Sequence, residues 1–305
     1  MQTTLKHDIA MVGTGLHSGR PARIVLHPAT DGGIRFRRVD ITDRDNVIPA
    51  RWDMVTDTTL CTLLSNEAGV SVGTVEHLMA ALAGTGVTHA LVDIDGPEIP
   101  IMDGSAQRFV RAILRTGLAP VAGPLRAIRV LAPVRFEQGA VLAELTPADT
   151  LSIDFEIDFA DKAIGRQARA LTMENGTFVH ELADCRTFCR AEEVETMRAH
   201  GLALGGSLDN AVVVDGDRVL NPGGLRRSDE FVRHKMLDAL GDLALAGAPI
   251  LGAYRGVRAG HGATNRLLRK LFATPDAYEI VTLDAEAAAQ LPGAGVGAAD
   301  LRRAG

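Results

Sequence analysis

Apolar and polar residues alternate in short runs over the first part of the chain. Residues 22–27 and 33–39 have this period of two and are bounded by Gly, Pro and Asp, which predicts strands. Residues 58–65 predict another. The period then lengthens. Residues 75–83 carry a helical apolar pattern, with Thr74 placed to cap its start and Gly84 to end it. Residues 90–94 predict a strand, and residues 95–104 a loop containing Pro97 and Pro100. Ser105 is placed to cap a second helix over 106–116, closed by Gly117.

Residues 119–125 (Ala-Pro-Val-Ala-Gly-Pro-Leu) have the composition of a linker. Beyond them the same order returns. Residues 126–136, 141–145 and 151–157 predict strands. Helices are predicted from near Thr177, over 192–199, over 229–246 with Ser228 as its cap, and over 263–272. Strands are predicted at 211–214 and 250–255. Strands grouped apart from helices indicate an α+β fold rather than a doubly wound sheet. A length of 305 residues suits two domains. The expected division is 1–120, 126–280 and an Ala/Gly-rich, flexible tail at 285–305.

Charge narrows the partners. The net charge is -6 and no basic face stands out, which argues against nucleic acid. Three cysteines, Cys61, Cys185 and Cys189, form no disulfide framework and suit structural thiols in a reducing compartment. The N-terminus has no signal-peptide core, and no apolar run is long enough to span a bilayer. A cytoplasmic protein is expected. Gly13–Gly19 misses the dinucleotide fingerprint and leads into a strand, and Gly201–Ser207 lacks the lysine of a phosphate loop.

Candidate chemistry lies elsewhere. His234, Asp238 and Asp242 are spaced by four, so they share one stripe of the 229–246 helix. By spacing alone this is either a solvated face with a His–Asp ion pair or one side of a metal site. Gly241 costs about 1 kcal/mol in mid-helix and is tolerated more readily where another backbone or a ligand packs closely. Glu76 and His77 fall in the first turn of their helix. Glu76 is there either as a partner of the helix dipole or as a base beside a metal. His261 sits between two glycines ahead of the last helix, either as an exposed turn residue or facing a ligand. Two imidazoles and one carboxylate with an open position form the donor set of catalytic zinc.

Seven motifs then carry a family resemblance, in order from about residue 5 to residue 275. They are Gly15-Leu-His17-Ser-Gly19, Thr74-Val-Glu76-His77-Leu, Pro97-Glu-Ile-Pro-Ile-Met-Asp103-Gly-Ser105, Arg186-Thr187-Phe188, Leu204-Gly-Gly-Ser207, Asp229-Glu-Phe-Val-Arg-His234-Lys-Met-Leu-Asp238, and Gly260-His261. The sequence resembles the UDP-3-O-acyl-N-acetylglucosamine deacetylases of lipid A synthesis. That resemblance implies two similar domains, each a β-sheet on a layer of two helices, with the helix layers facing (a β-α-α-β sandwich).

The first domain would supply Glu76 and His77, and the second His234, Asp238 and His261. The resemblance further implies Zn2+ on His77, His234 and Asp238, with Fe2+ as the alternative ion in the cell. Glu76 would be the general base and His261 the cationic acid held charged by Asp242. Thr187 would stabilise the oxyanion, and Lys235 would serve both catalysis and the substrate. Phe159, Phe188, Leu16 and His17 would contact a UDP-linked acyl glucosamine. An insert over 190–214, with Val194, Met197, Leu202 and Leu204, would form an acyl passage. Cys189 stands where relatives often carry Gly. The expected protein is a monomer. The competing readings are an amidohydrolase of the same fold acting on another acylated amine, and a non-catalytic binding protein.

Overall fold

The computed structural model describes residues 1–302; residues 303–305, the last of the expected tail, lie outside them. Two five-stranded sheets organise the chain. The first has the order Ile9–Thr14, Pro21–Pro28, Ala90–Ile94, Ile34–Arg38, Val47–Pro49. The second has the order Val134–Gln138, Val141–Thr146, Ala253–Val257, Ser152–Asp158, Arg166–Thr172. Across each sheet the pairings run antiparallel, antiparallel, parallel, antiparallel.

The connections repeat as well. In the first half, Ala90–Ile94 lies between helices α1 (Glu76–Gly84) and α2 (Gln107–Thr116). A small three-stranded excursion (Val55–Asp57, Leu63–Ser65, Ser71–Val72) precedes α1. In the second half the excursion holds Phe188–Arg190, helix α3 (Ala191–Ala199), Val212–Asp215 and Arg218–Val219. It precedes α4 (Glu230–Ala244), and α5 (His261–Phe272) follows the matching strand.

The helix sequences explain the layering. α2 and α5 are amphipathic and bury one face, through Phe109, Val110 and Ile113 in α2 and Leu267, Leu268 and Leu271 in α5. α1 and α4 are buried nearly all round, as helices caught between two layers must be. α1 packs against α2, α4 against α5, and α1 against α4. The result is sheet, helices, helices, sheet, as expected from the resemblance.

Gly241 fixes how closely the middle layers approach. An added Cβ there would collide with the Glu76 carbonyl group, lying 2.8 Å from its carbon and 3.1 Å from the Glu76 Cα. The mid-helix glycine is therefore a contact between two backbones.

Several local expectations need correction. Residues 58–62 are not strand. Asp57 Oδ1 accepts the N–H groups of Thr58 and Thr59 and the Thr59 hydroxyl, a side-chain turn that breaks the run. Thr74 does not cap α1; its φ is +55° and its hydroxyl donates to Glu98 Oε1 at 2.9 Å. Gly84 lies inside α1 and Thr85 is its C-cap. Ser228 does not cap α4; Asp229 occupies that position.

The run 126–136 splits before Pro133. Arg126–Val130 pairs with Ile250–Leu251 and Tyr278–Thr282, while Val134–Gln138 joins the second sheet. The start of the linker, Leu118–Val121, is a strand paired with Gln2–Leu5. His261 is the first residue of α5 rather than a loop residue. The tail carries a short helix, Ala285–Ala288, and reaches the second half where Gly176 N–H donates to Pro292 O at 3.2 Å and His180 pairs with Asp300 at 3.2 Å.

Replacing Gly241 by Ala tests the close crossing. The midpoint of chemical denaturation should fall by the equivalent of about 1–3 kcal/mol, the usual cost of overpacking. An unchanged midpoint would mean that the two helices separate freely.

Candidate active site and metal centre

The crossing of α1 and α4 brings together residues from both halves. His77 Nε2 lies 3.5 Å from Asp238 Oδ1, and His234 Nε2 lies 3.3 Å from the same oxygen. The two imidazole rings stand edge to face with centroids 5.0 Å apart. All three residues are buried, and their ligand atoms lie within 4.8 Å of one another.

Asp238 Oδ1 has no hydrogen-bond partner. A buried carboxylate oxygen in that condition is costly unless a cation completes it. Its other oxygen accepts from Lys235 Nζ at 2.6 Å. Burial alone would raise the Asp238 pKa, but His234 and Lys235 outweigh it and hold the carboxyl well below its usual range. Burial also lowers His234 to about 4, which leaves the neutral imidazole that a metal requires. His234 Nδ1 donates to the Cys185 carbonyl at 3.1 Å, so its Nε2 lone pair faces Asp238. His77 Nδ1 lacks such a partner. These donors fit a divalent metal.

Beside them lies a second buried cluster. His261 Nδ1 meets Asp242 Oδ2 at 2.8 Å. Burial would lower the His261 pKa, but the charge and hydrogen bond of Asp242, with help from Glu76 and Asp238, raise it to about 9. The carboxylates thus outweigh burial. Burial raises the Glu76 pKa, against the opposing charges of His261 and His77. Thr62 joins the two acids: its N–H donates to Glu76 Oε2 at 3.0 Å and its hydroxyl to Asp242 Oδ1 at 2.6 Å.

The remaining predicted residues gather around a neighbouring cavity of about 270 Å³ lined by Leu16, His17, Thr187 and Phe188. Val194 and Met197 of α3 also line it. Leu202 and Leu204 do not, and Leu204 is largely exposed. Phe188 links the cavity to the metal donors, packing edge-on against His234 at 6.2 Å and against Phe159 at 5.5 Å. A larger cavity of about 440 Å³ lies on the opposite face of α4, lined by Leu240, Leu243 and tail residues including Leu291. No predicted site residue lines it, so size alone does not mark the chemistry.

The profile of the UDP-3-O-acyl N-acetylglycosamine deacetylase family matches residues 2–273. The chain belongs to this family. It is 52% identical over 282 residues to the UDP-3-O-acyl-N-acetylglucosamine deacetylase of Phenylobacterium zucineum (strain HLK1), covering 92% of this chain and 96% of that protein. The proteins of the same name from Shewanella frigidimarina (strain NCIMB 400) and Pasteurella multocida (strain Pm70) are 45% identical over 289 residues and 46% identical over 286 residues. These alignments cover 94% and 93% of this chain, and the same shares of the two relatives. Members of this family are metalloenzymes, and the His77–His234–Asp238 cluster is the candidate metal site among the described residues.

The family motifs outside the cluster have structural work that residue patterns did not reveal. The Arg186 guanidinium donates to the fully buried Glu230 carboxylate at 2.8 and 3.0 Å, tying the Thr187–Phe188 segment to the first turn of α4. Gly104 lies against the backbone of Asn210, and its carbonyl accepts Thr187 N–H at 2.8 Å. Arg226 joins Asp103 of the first half, at 2.9 Å, to the Asp184 carbonyl of the second, at 2.8 Å. Thr62, Glu98, Glu230 and Arg226 were missed as site-building residues. Glu98 and Glu230 sit inside long motifs, which was the available signal. Thr62 carried none.

His234→Ala should abolish stoichiometric metal binding. Elemental analysis of the purified variant checks this, and a metal content equal to that of the parent would remove His234 from the ligand set.

Proposed function

We propose that this chain hydrolyses the N-acetyl group of a UDP-3-O-(3-hydroxyacyl)-N-acetylglucosamine, releasing acetate and the free amine. The observation that carries this reading is the buried pairing of a three-donor metal cluster with a separate carboxylate and a cationic histidine. We assign Zn2+ to His77, His234 and Asp238; two imidazoles and one carboxylate also accept Fe2+, but hydrolysis needs no redox metal. Zn2+ held by these three residues would supply Lewis acidity toward an amide carbonyl and would make water acidic enough to react near neutral pH.

The chain's own residues do the proton work. Glu76 accepts the proton of the attacking water; Thr62 N–H occupies its Oε2, which leaves Oε1 for the task. His261 uses Nδ1 to hold Asp242, so its Nε2–H is the proton given to the leaving amine. Asp242 keeps that proton in place by favouring the imidazolium. The Thr187 hydroxyl donates to the developing oxyanion. Lys235 neutralises the outer oxygen of Asp238 and presents positive charge to the substrate. Leu16, Phe188, Val194 and Met197 give the acyl chain an apolar wall, with Phe159 behind Phe188.

Residues 1–120 and 126–280 form the two domains, and one chain carries the whole site, which supports a working monomer. The three cysteines are free, and burial pushes the Cys61 thiol up to about 12 and Cys185 higher still, which suits inert thiols in the cytoplasm. None of the described helices is long and apolar enough to cross a membrane.

Glu76→Ala should retain metal while turnover falls by about 10²–10⁴-fold, the usual worth of general-base catalysis. Activity near that of the parent would contradict the base assignment. The pH–rate profile should be bell-shaped. Activity needs protonated His261, so it should be present below about 9 and fall as pH rises through that value. It also needs ionised Glu76, so it should fall as pH drops through a carboxyl pKa raised above the usual range. Asp242→Asn removes the charge that holds the imidazolium and should move the basic limb downward. A basic limb left unmoved would assign it to another group.

A further inference from the structure

The loop carrying Leu16 and His17 joins two strands of the first sheet, and one buried carboxylate fastens its near side. Glu98 is only 5% exposed. Its Oε1 accepts His17 N–H at 2.8 Å and its Oε2 accepts Ser18 N–H at 2.8 Å. Gly15 lies against the same group, since a Cβ there would come within 2.9 Å of Glu98 Cδ. Hydrogen bonds from main-chain N–H groups to a carboxylate are about twice as strong as neutral ones.

Glu98 also reaches the catalytic helix. Thr74 Oγ1 donates to Oε1, and Thr74 lies two residues before Glu76. Its φ of +55° is an outlier for a β-branched residue, and such strain persists only where the surroundings impose it. The backbone is stitched on both sides of Glu98: Gly73 N–H donates to Pro97 O at 2.9 Å, and Ile99 N–H donates to Gly73 O at 3.0 Å. The entry to α1 and the Leu16–His17 loop are therefore fixed to one rigid segment.

The far side of the loop meets the excursion of the second half. Gly205 N–H donates to Leu16 O at 2.9 Å and Leu204 N–H to His17 O at 3.2 Å. Ala203 N–H approaches His17 Nδ1 at 3.4 Å, which makes Nδ1 the acceptor and leaves the proton on Nε2. That Nε2 is buried and has no partner, on a side chain that lines the cavity. The loop thus lines the cavity with Leu16 and His17 and holds one unpaired buried donor beside it.

We propose that Glu98 is a positioning residue for substrate selection: by fixing Leu16 and His17 relative to the entry of α1, it sets the wall against which the 3-O-acyl chain lies. This role rests on the deacetylase reading above. Glu98 acts through the loop and touches neither the metal donors nor the reacting atoms.

The test uses the metal-loaded full chain and two substrates, the UDP-linked N-acetylglucosamine with its long 3-O-acyl chain and the same compound with a 3-O-acetyl group. Glu98→Gln keeps the shape but leaves one acceptor oxygen where two are needed. Its kcat/KM should fall at least tenfold more on the long-chain substrate than on the short one, with the difference in KM and with metal content unchanged. Gly15→Ala, which crowds the loop away from the intact carboxylate, should give the same split and decides the matter alone where Glu98→Gln does not fold. Equal losses on the two substrates, or no loss, would overturn the role of Glu98. A parent enzyme inactive on both substrates would overturn the deacetylase reading and this role together, a result distinct from equal losses.

Discussion

The contact between Gly241 and the backbone of Glu76 is the constraint on which the site depends. α1 and α4 belong to different halves of the chain. With no side chain between them at this point, His77 reaches Asp238 and Glu76 lies among the charges of His261 and Asp242. A larger residue would hold the helices apart and separate His77 from Asp238. The glycine sacrifices local helix stability, and the layer contact uses the space it leaves.

Burying so many charges in that layer requires compensation. Asp238 is matched by Lys235, and Asp242 by His261 and the Thr62 hydroxyl. Asp238 Oδ1 and His77 Nδ1 are left without hydrogen-bond partners. An open oxygen facing two imidazole nitrogens is what a metal-binding cluster needs before the ion is counted. The same environment separates the two histidines: burial brings His234 down to about 4, while Asp242 takes His261 up to about 9. One is held neutral and the other protonated, although both are buried histidines.

The spacing of His234, Asp238 and Asp242 made their shared helix stripe legible in the sequence, but not which of the two acids meets a histidine of its own stripe and which meets His261. That division depends on α5, whose first residue approaches from another element. The sheets were legible in part. The strand Arg166–Thr172 escaped because it mixes arginines with alanines and has no run of large apolar residues. The repeated order of pairing in the two sheets shows that the two halves share one architecture. Thr62 was invisible for a different reason: its roles need a backbone N–H and a hydroxyl aimed at acids from two distant elements.

The resemblance supplied what spacing left open, and the three donors it names lie together in the structure. The central claim is that a metal ion held between the two halves makes this chain a deacetylase. The direct measurement is acetate release from the UDP-linked acyl sugar by the full chain, first after complete removal of metal by a chelator and then after titration with Zn2+. The account predicts no release without metal and full recovery at one equivalent. Release at the original rate from metal-free protein, or no release on this substrate at any metal content, would contradict it.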